Sequence, residues 1–131
     1  MSLTDDERKV IVSLELEKSH TIIEQIPELQ KLAYWDNVAN RLYYAVFHSV
    51  CALLINDGYS VSSHKGAVSL FGQHYVVTGK MSQQVGRLYS QLQTIREKSD
   101  YNCSYTATKE DIEPLIDRTR DFINRIEALI K

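Results

Sequence analysis

Four polar side chains recur along one segment that is otherwise apolar. Arg41 and His48 are seven residues apart, Tyr44 lies between them, and Asn37 comes one turn before Arg41. In an α-helix, at about 100° per residue, positions seven apart point within roughly 20° of the same direction. The four side chains would therefore form one stripe on a helix. A guanidinium and an imidazole in such a stripe need polar partners, a groove, a ligand or a second chain.

The chemistry open to this stripe is acid–base chemistry on a phosphate ester. An imidazole has an ordinary pKa of about 6.5, so a histidine such as His48 exchanges protons near neutral pH. A guanidinium such as Arg41 donates two parallel hydrogen bonds to a phosphate and stabilises the charge that develops on it. Tyr44 would position the phosphate or the imidazole. The same residues also fit a purely structural role, as a polar seam that orients helices or a dimer.

The stripe belongs to the most apolar segment of the chain, residues 35–57. Within residues 42–55, a run of about 14 residues, only His48 and Ser49 are clearly polar, and Gly58 is a natural helix terminator. A helix that is apolar on nearly every side must be surrounded by other elements. The apolar run is shorter than the ~20 residues that a membrane span needs. We therefore predict the central helix of an all-α domain that does not enter a membrane.

Hydroxyl residues that can cap helix starts divide the rest of the chain. Thr4 with Glu7 is a capping-box pattern, and the helix that follows should be interrupted at Pro27. Its predicted apolar face consists of Val10, Ile11, Leu14, Leu16, Ile22, Ile23 and Ile26. Further predicted caps and helices are Ser62 or Ser63 before 64–75, Ser82 before 83–98, and Thr108 before a helix that reaches the C-terminus. The pattern predicts one domain over 1–131, an antiparallel up-and-down bundle of four or five helices.

Composition narrows the classes of function. A length of 131 residues suits one domain with a real core, and the net charge of −2 disfavours a strongly basic nucleic-acid-coating surface while allowing a local basic groove. The two cysteines and four histidines lack metal-ligand spacing, and no glycine-rich phosphate loop is present, so we expect no metal and no cofactor. The lack of a signal-peptide pattern and the sparse cysteines predict a cytoplasmic protein.

Four segments of the chain together resemble a known family. They are 40–48 (NRLYYAVFH), 63–66 (SHKG), 75–80 (YVVTGK) and 96–101 (REKSDY). In this order and spacing they are similar to the HEPN superfamily, the higher eukaryotes and prokaryotes nucleotide-binding domain. The likeness covers about residues 35–125. It is closest to small stand-alone bacterial members that are often encoded beside a minimal nucleotidyltransferase.

The resemblance bears on the oligomeric state, for which it implies a homodimer, and on the reaction, for which it implies RNA cleavage. Many HEPN proteins are metal-independent ribonucleases with an Arg-x4–6-His motif, and Arg41 and His48, which enclose six residues, fit the long end of that pattern. In such relatives the motifs of two subunits form a shared cleft, so one histidine would act as base and the other as acid on RNA. Other members are toxins silenced by the nucleotidyltransferase. Some are non-catalytic modules that bind nucleotide, RNA or a partner protein, and a purely structural dimerisation domain is a third interpretation.

Two further groups of side chains would line such a cleft. They are Ser63, His64 and Lys65, and then Arg96, Asp100 and Tyr101. The first group would hold a phosphate or nucleotide at a helix start, or serve as a cap and a packing residue. The second would line the cleft, or pin a loop through an ion pair and a buried ring.

Tyrosines are frequent in this chain and most are predicted to be packing residues. Five of the eight, Tyr43, Tyr44, Tyr75, Tyr89 and Tyr101, fall on or near predicted core faces. In a related toxin branch, a tyrosine within the Arg-to-His interval accepts a nucleotidyl group. The resemblance therefore implies that Tyr43 or Tyr44 is such an acceptor here.

Overall fold

Helices make up the regular structure of residues 3–130, the part of the chain that the computed structural model describes. The elements are α1 (Asp5–Ile23), α2 (Ile26–Lys31), α3 (Trp35–Asn56), α4 (His64–Phe71), a π-helical turn (Gly72–Val76), α5 (Gln83–Tyr101) and α6 (Lys109–Leu129). The predicted all-α bundle is confirmed. Every other α-helix packs against α3, which is therefore the central helix.

Burial of α3 explains its apolar composition. Its buried residues are Val38, Ala39, Leu42, Tyr43, Ala45, Val46, Ser49, Val50, Cys51, Ala52, Leu53 and Leu54. The helix has 22 residues and a window of mean hydropathy 1.4, so by length and composition alone it could cross a membrane, contrary to the short run expected from the sequence. Because 67% of that window is buried inside the bundle, α3 has the surroundings of a core helix in a globular domain.

Side-chain caps begin four helices where the sequence predicts them. The capping oxygens belong to Thr4, Ser63, Ser82 and Thr108, and each accepts a backbone N–H three residues further on. The first is a complete capping box, since the Thr4 backbone N–H also donates to the Glu7 carboxylate at 2.8 Å. These bonds satisfy donors that a helix start leaves without intrahelical partners.

The first helix departs from the predicted pattern. It ends at Ile23, and Pro27 lies in the first turn of the separate helix α2, where a missing N–H costs least. The predicted apolar face of α1 is partly wrong, because Val10 and Leu14 are each 58% exposed while Ser19 is fully buried. The helix is therefore rotated about its axis relative to the orientation that hydrophobicity alone predicts.

Two side-chain contacts set the register of α1 against α3. Near the start of α1, Nη1 of Arg8 donates to the carbonyl oxygen of Ile55 at 2.6 Å. Further along, the buried hydroxyl of Ser19 donates to the carbonyl oxygen of Ala45 at 2.7 Å. The two helices are thus antiparallel. Residues between Arg8 and Ser19 face the second half of α3.

Gly86 allows α5 to pack closely against the π-helical turn. A Cβ at this position would lie 2.7 Å from Cγ2 of Val76, whose χ1 angle is stiff. We expect Gly86→Ala to lower the free energy of unfolding by about 1–3 kcal/mol in urea denaturation. Gly72→Ala is the matched control, because a Cβ there meets nothing within 4 Å, and it should leave stability unchanged or raise it by up to about 1 kcal/mol. Equal losses from both substitutions would contradict this packing.

Candidate functional site

Arg41, Tyr44 and His48 form a continuous line on one flank of α3. Cζ of Arg41 lies 5.4 Å from the centre of the Tyr44 ring, and the ring centres of Tyr44 and His48 are 6.4 Å apart. All three are half-buried, at the boundary between core and solvent. Asn37 is exposed and lines a shallow groove with Arg41, so the four residues share one side of the helix.

A carboxylate from α1, which the sequence analysis missed, holds the histidine. Nδ1 of His48 lies 2.7 Å from Oε2 of Glu15, and these side chains are 18% and 27% exposed. An ionised carboxylate can only accept, so the Nδ1–H donates to it. Nε2 is then the nitrogen that can exchange a proton with a ligand. The register set by Arg8 and Ser19 is what brings Glu15 opposite His48.

Arg41 is held by a neutral partner. Its Nε and Nη2 both donate to Oδ1 of Asn40, at 3.2 and 2.8 Å. Among the residues that the structure describes, no carboxylate pairs with this guanidinium. Arg41 also lines two shallow grooves, one of about 450 Å³ beside α1 and one of about 330 Å³ beside α2. An anion in either groove would meet an arginine whose charge is not neutralised.

An aromatic and cationic cluster connects the stripe to α4 and α5. The His64 ring stacks on Phe47 with ring centres 4.3 Å apart, and its Nδ1 lies 2.7 Å from the Tyr43 hydroxyl. Cζ of Arg96 lies 5.1 Å from the ring centre of Tyr43 and 5.5 Å from that of Tyr44. The structure thus brings His64 and Arg96 to the α3 stripe. Phe47, like Glu15, was not among the residues singled out in the sequence.

The hydrogen bond between Tyr43 and His64 joins two uncharged groups near neutral pH. Burial lowers the pKa of His64, and the neighbouring Arg96 and then His48 lower it further. Burial also raises the pKa of Tyr43 to about 12. The tyrosine therefore donates its hydroxyl proton and the neutral imidazole accepts it at Nδ1.

The environments of the two adjacent tyrosines differ. Tyr43 is fully buried and its hydroxyl is engaged by His64, whereas Tyr44 is half-buried. Tyr43 could not receive a nucleotidyl group without opening of the core. Of the two acceptors considered, only Tyr44 has a partly accessible side chain.

The remaining predicted site residues divide into structural and groove-lining groups. Ser63 is a helix cap, while Lys65 and Tyr101 line, together with Arg96, a groove of about 710 Å³ between α4 and α5. Oδ2 of Asp100 lies 3.4 Å from Nε of Arg96, which is the ion pair anticipated from the sequence. The predicted loop is wrong at this point, because α5 continues to Tyr101, and that ring is 80% exposed rather than buried. Within residues 3–130, no three potential metal ligands of the His, Cys, Asp or Glu type are grouped.

The fold and the flank of α3 define a class, namely small all-helical proteins whose central helix presents an arginine, a tyrosine and a histidine on one side. Comparison with protein families matches residues 12–129 to the HEPN domain. The chain therefore belongs to the HEPN family, which confirms the resemblance noted in the sequence.

Several relatives match most of the chain. A UPF0332 protein of Thermotoga maritima is 29% identical over 126 residues, which is 96% of each chain. Two proteins of Methanocaldococcus jannaschii are also similar. “Putative toxin MJ0605” is 35% identical over 98 residues, 75% of this chain and 72% of its own. “Putative toxin MJ0142” is 24% identical over 115 residues, 88% of this chain and 78% of its own.

Proposed function

We propose that this protein is a toxin-like, metal-independent ribonuclease with Arg41 and His48 as its catalytic residues. The observation that carries the proposal is the 2.7 Å contact between Glu15 and His48, on the flank of α3 that also holds Arg41. A half-buried carboxylate on Nδ1 is the arrangement that turns a histidine into an oriented proton acceptor. The similarity to two proteins named as toxins supports the biological role.

The reaction follows from the chemistry of these groups. Nε2 of His48 takes the proton of the ribose 2′-hydroxyl, and the 2′-oxygen attacks the adjacent phosphorus. Arg41 donates to the non-bridging oxygens, where negative charge grows as the new P–O bond forms. The bond to the 5′-oxygen breaks and that oxygen takes a proton from an acid. The products are a 2′,3′-cyclic phosphate and a 5′-hydroxyl, and no metal takes part.

A second copy of the chain supplies the acid in this proposal. A homodimer with a two-fold axis beside α3 brings two His48 side chains to one cleft, one as base and one as acid. The exposed Leu14 supports such an interface, because it lines the same groove as Arg41 and is 58% exposed. The proposal also includes a cytoplasmic location and a nucleotidyltransferase partner that silences the enzyme by modifying Tyr44.

The proposal is tested by cleavage of RNA without metal. Protein stripped of metal and kept in EDTA should cut a fluorescent single-stranded RNA, and mass spectrometry should find cyclic phosphate ends. The matched substrate is the same oligonucleotide with 2′-deoxyribose throughout, and it should stay intact because the attacking oxygen is missing. Cleavage that requires added Mg²⁺, or equal cleavage of both oligonucleotides, would refute the proposed chemistry.

A non-catalytic module that binds RNA or nucleotide is the second candidate. The groove between α4 and α5 favours it, since Lys65, Arg96 and Lys98 line one concave surface of a chain that is acidic overall. Binding of single-stranded RNA by wild-type protein, with no cleavage in the same assay, would favour this function over the first.

A further inference from the structure

We infer that the groove between α4 and α5 binds single-stranded RNA and leads it to Arg41 and His48. The inference rests on the proposed ribonuclease function and names the form of its substrate. The groove has a volume of about 710 Å³. Such a volume lies within the range of sites that hold a ligand of nucleotide size.

Charge in the groove complements a phosphate backbone. Lys65 of α4 and both Arg96 and Lys98 of α5 line the groove, and Glu97 is the one carboxylate in the lining. Arg96 is only 14% exposed, and its Nε, though 3.4 Å from Asp100, has no hydrogen-bond partner among the described residues. The ion pair between Arg96 and Asp100 therefore lacks a hydrogen bond and constrains the guanidinium only weakly. A phosphate in the groove would meet an excess of positive charge on a protein with a net charge of −2.

Tyr101 provides a surface on which a base can stack. It is the last residue of α5, lines the groove, and leaves 80% of its surface exposed. An aromatic ring held in this way beside basic side chains is the combination that binds single strands, because every base has a face for stacking. In a duplex the bases are already stacked on one another, so a duplex cannot use this ring.

Arg96 connects the groove to the proposed catalytic residues. Its guanidinium lies 5.5 Å from the centre of the Tyr44 ring, and Arg41 lies 5.4 Å from the same centre. The two arginines thus contact one tyrosine, and the ring of that tyrosine lies 6.4 Å from that of His48. Under this inference, a strand with a phosphate at Arg96 would pass over the Tyr44 side chain to reach Arg41.

Fluorescence anisotropy with full-length protein tests the groove. The His48→Ala variant serves as the parent, so that the fluorescein-labelled RNA is not cut. We expect it to bind a single strand at least about tenfold more tightly than the matching duplex. Adding Tyr101→Ala should weaken binding of the single strand by roughly 5- to 100-fold. Adding Lys65→Gln should reduce the slope of log affinity against log salt by about 0.7.

Matched substitutions outside the groove serve as controls. Tyr34→Ala removes another exposed ring, 54% exposed, and Lys9→Gln removes an exposed cation from α1. Both should leave affinity and salt slope unchanged. Equal affinities for Tyr101→Ala and Tyr34→Ala, or a duplex that binds as tightly as the single strand, would overturn the inference. So would AMP binding that depends on Tyr101 while RNA binding does not.

Kinetics separate this inference from the proposed function. In protein that retains His48, Tyr101→Ala should raise KM for a single-stranded substrate and leave kcat unchanged, because the ring acts in binding alone. An unchanged KM in an active enzyme would refute RNA binding in the groove and leave the proposed ribonuclease function standing. If wild-type protein cleaves no RNA but binds it in a manner that depends on Tyr101, RNA binding in the groove is supported and the ribonuclease function is refuted.

Discussion

His48→Ala is expected to lower kcat for RNA cleavage by about 10²- to 10⁴-fold, because it removes the proposed acceptor of the 2′-hydroxyl proton. The measurement is single-turnover cleavage of a labelled single strand, with circular dichroism to verify that the bundle is folded. His74→Ala is the matched control, since His74 stacks on Tyr59 away from the α3 flank. We expect its activity to stay near that of wild type. Equal activity of all three proteins would remove His48 from the mechanism.

Glu15→Gln extends this prediction to the partner of the histidine. The amide has the same shape but can donate to Nδ1, which places the imidazole proton on Nε2 and removes the free base. We expect a loss of roughly tenfold or more in kcat and a changed pH profile, with the fold retained. Glu24→Gln, which changes an exposed carboxylate at the end of α1, should have no effect. An unchanged pH profile for Glu15→Gln would show that Glu15 does not act through His48.

Arg41→Ala is expected to cost about 10²- to 10³-fold in kcat, the usual loss when one donor to a developing oxyanion is removed. Arg41→Lys should recover only part of the loss, because an ammonium cannot donate two parallel hydrogen bonds. Stability should change little, since Arg41 bonds only to its neighbour Asn40 and lies over Tyr44.

Arg87→Ala is the control for the arginine series. Arg87 is an exposed cation on α5, and its removal reduces the net charge by the same amount without touching the α3 flank. We expect wild-type cleavage from this variant. Full activity in Arg41→Lys would mean that a point charge suffices at this position, and full activity in Arg41→Ala would exclude the proposed site.

Local sequence patterns predicted the helices well, for reasons that are themselves local. A cap such as Ser82 accepts a hydrogen bond from an N–H only three residues away. The apolar composition of α3 predicts that this helix is buried, whichever helices surround it. The stripe of Arg41 and His48 follows from helical periodicity alone. These parts of the fold and the site can be predicted without knowing which helices pack against one another.

The features that were missed depend on distant contacts. Glu15 is one of several acidic residues on α1, and only the bonds from Arg8 to Ile55 and from Ser19 to Ala45 select the one that faces His48. These bonds join residues 47 and 26 positions apart, so no local window contains both partners. The sequence signal was weak, since Ser19 shares a helical face with Val12 and Ile22, at spacings of seven and three residues, but that face also carries Arg8 and Glu15.

The groove between α4 and α5 was out of reach for the same reason. The sequence analysis ended this helix near residue 98 and expected Tyr101 on or near a core face, but α5 continues to Tyr101 and leaves the ring exposed. At the end of a helix, an apolar pattern no longer predicts burial, because the neighbouring helices end before the helix itself does. Lys65 and Tyr101 were both singled out, yet only the packing of α4 beside α5 made them walls of one groove.

The helix that carries Glu15 contributes only Val12, Ser19 and Ile22 to the buried interior, out of 19 residues. Because α1 packs against α3 more extensively than any other helix does, its detachment would uncover one side of α3 while the packing of α3 against α5 and α6 remains. It would also move the Glu15 carboxylate away from His48 and Leu14 away from Arg41. In the proposed ribonuclease, catalysis would thus depend on the packing of α1 against α3, and a ligand that displaced α1 from α3 would inhibit the enzyme reversibly.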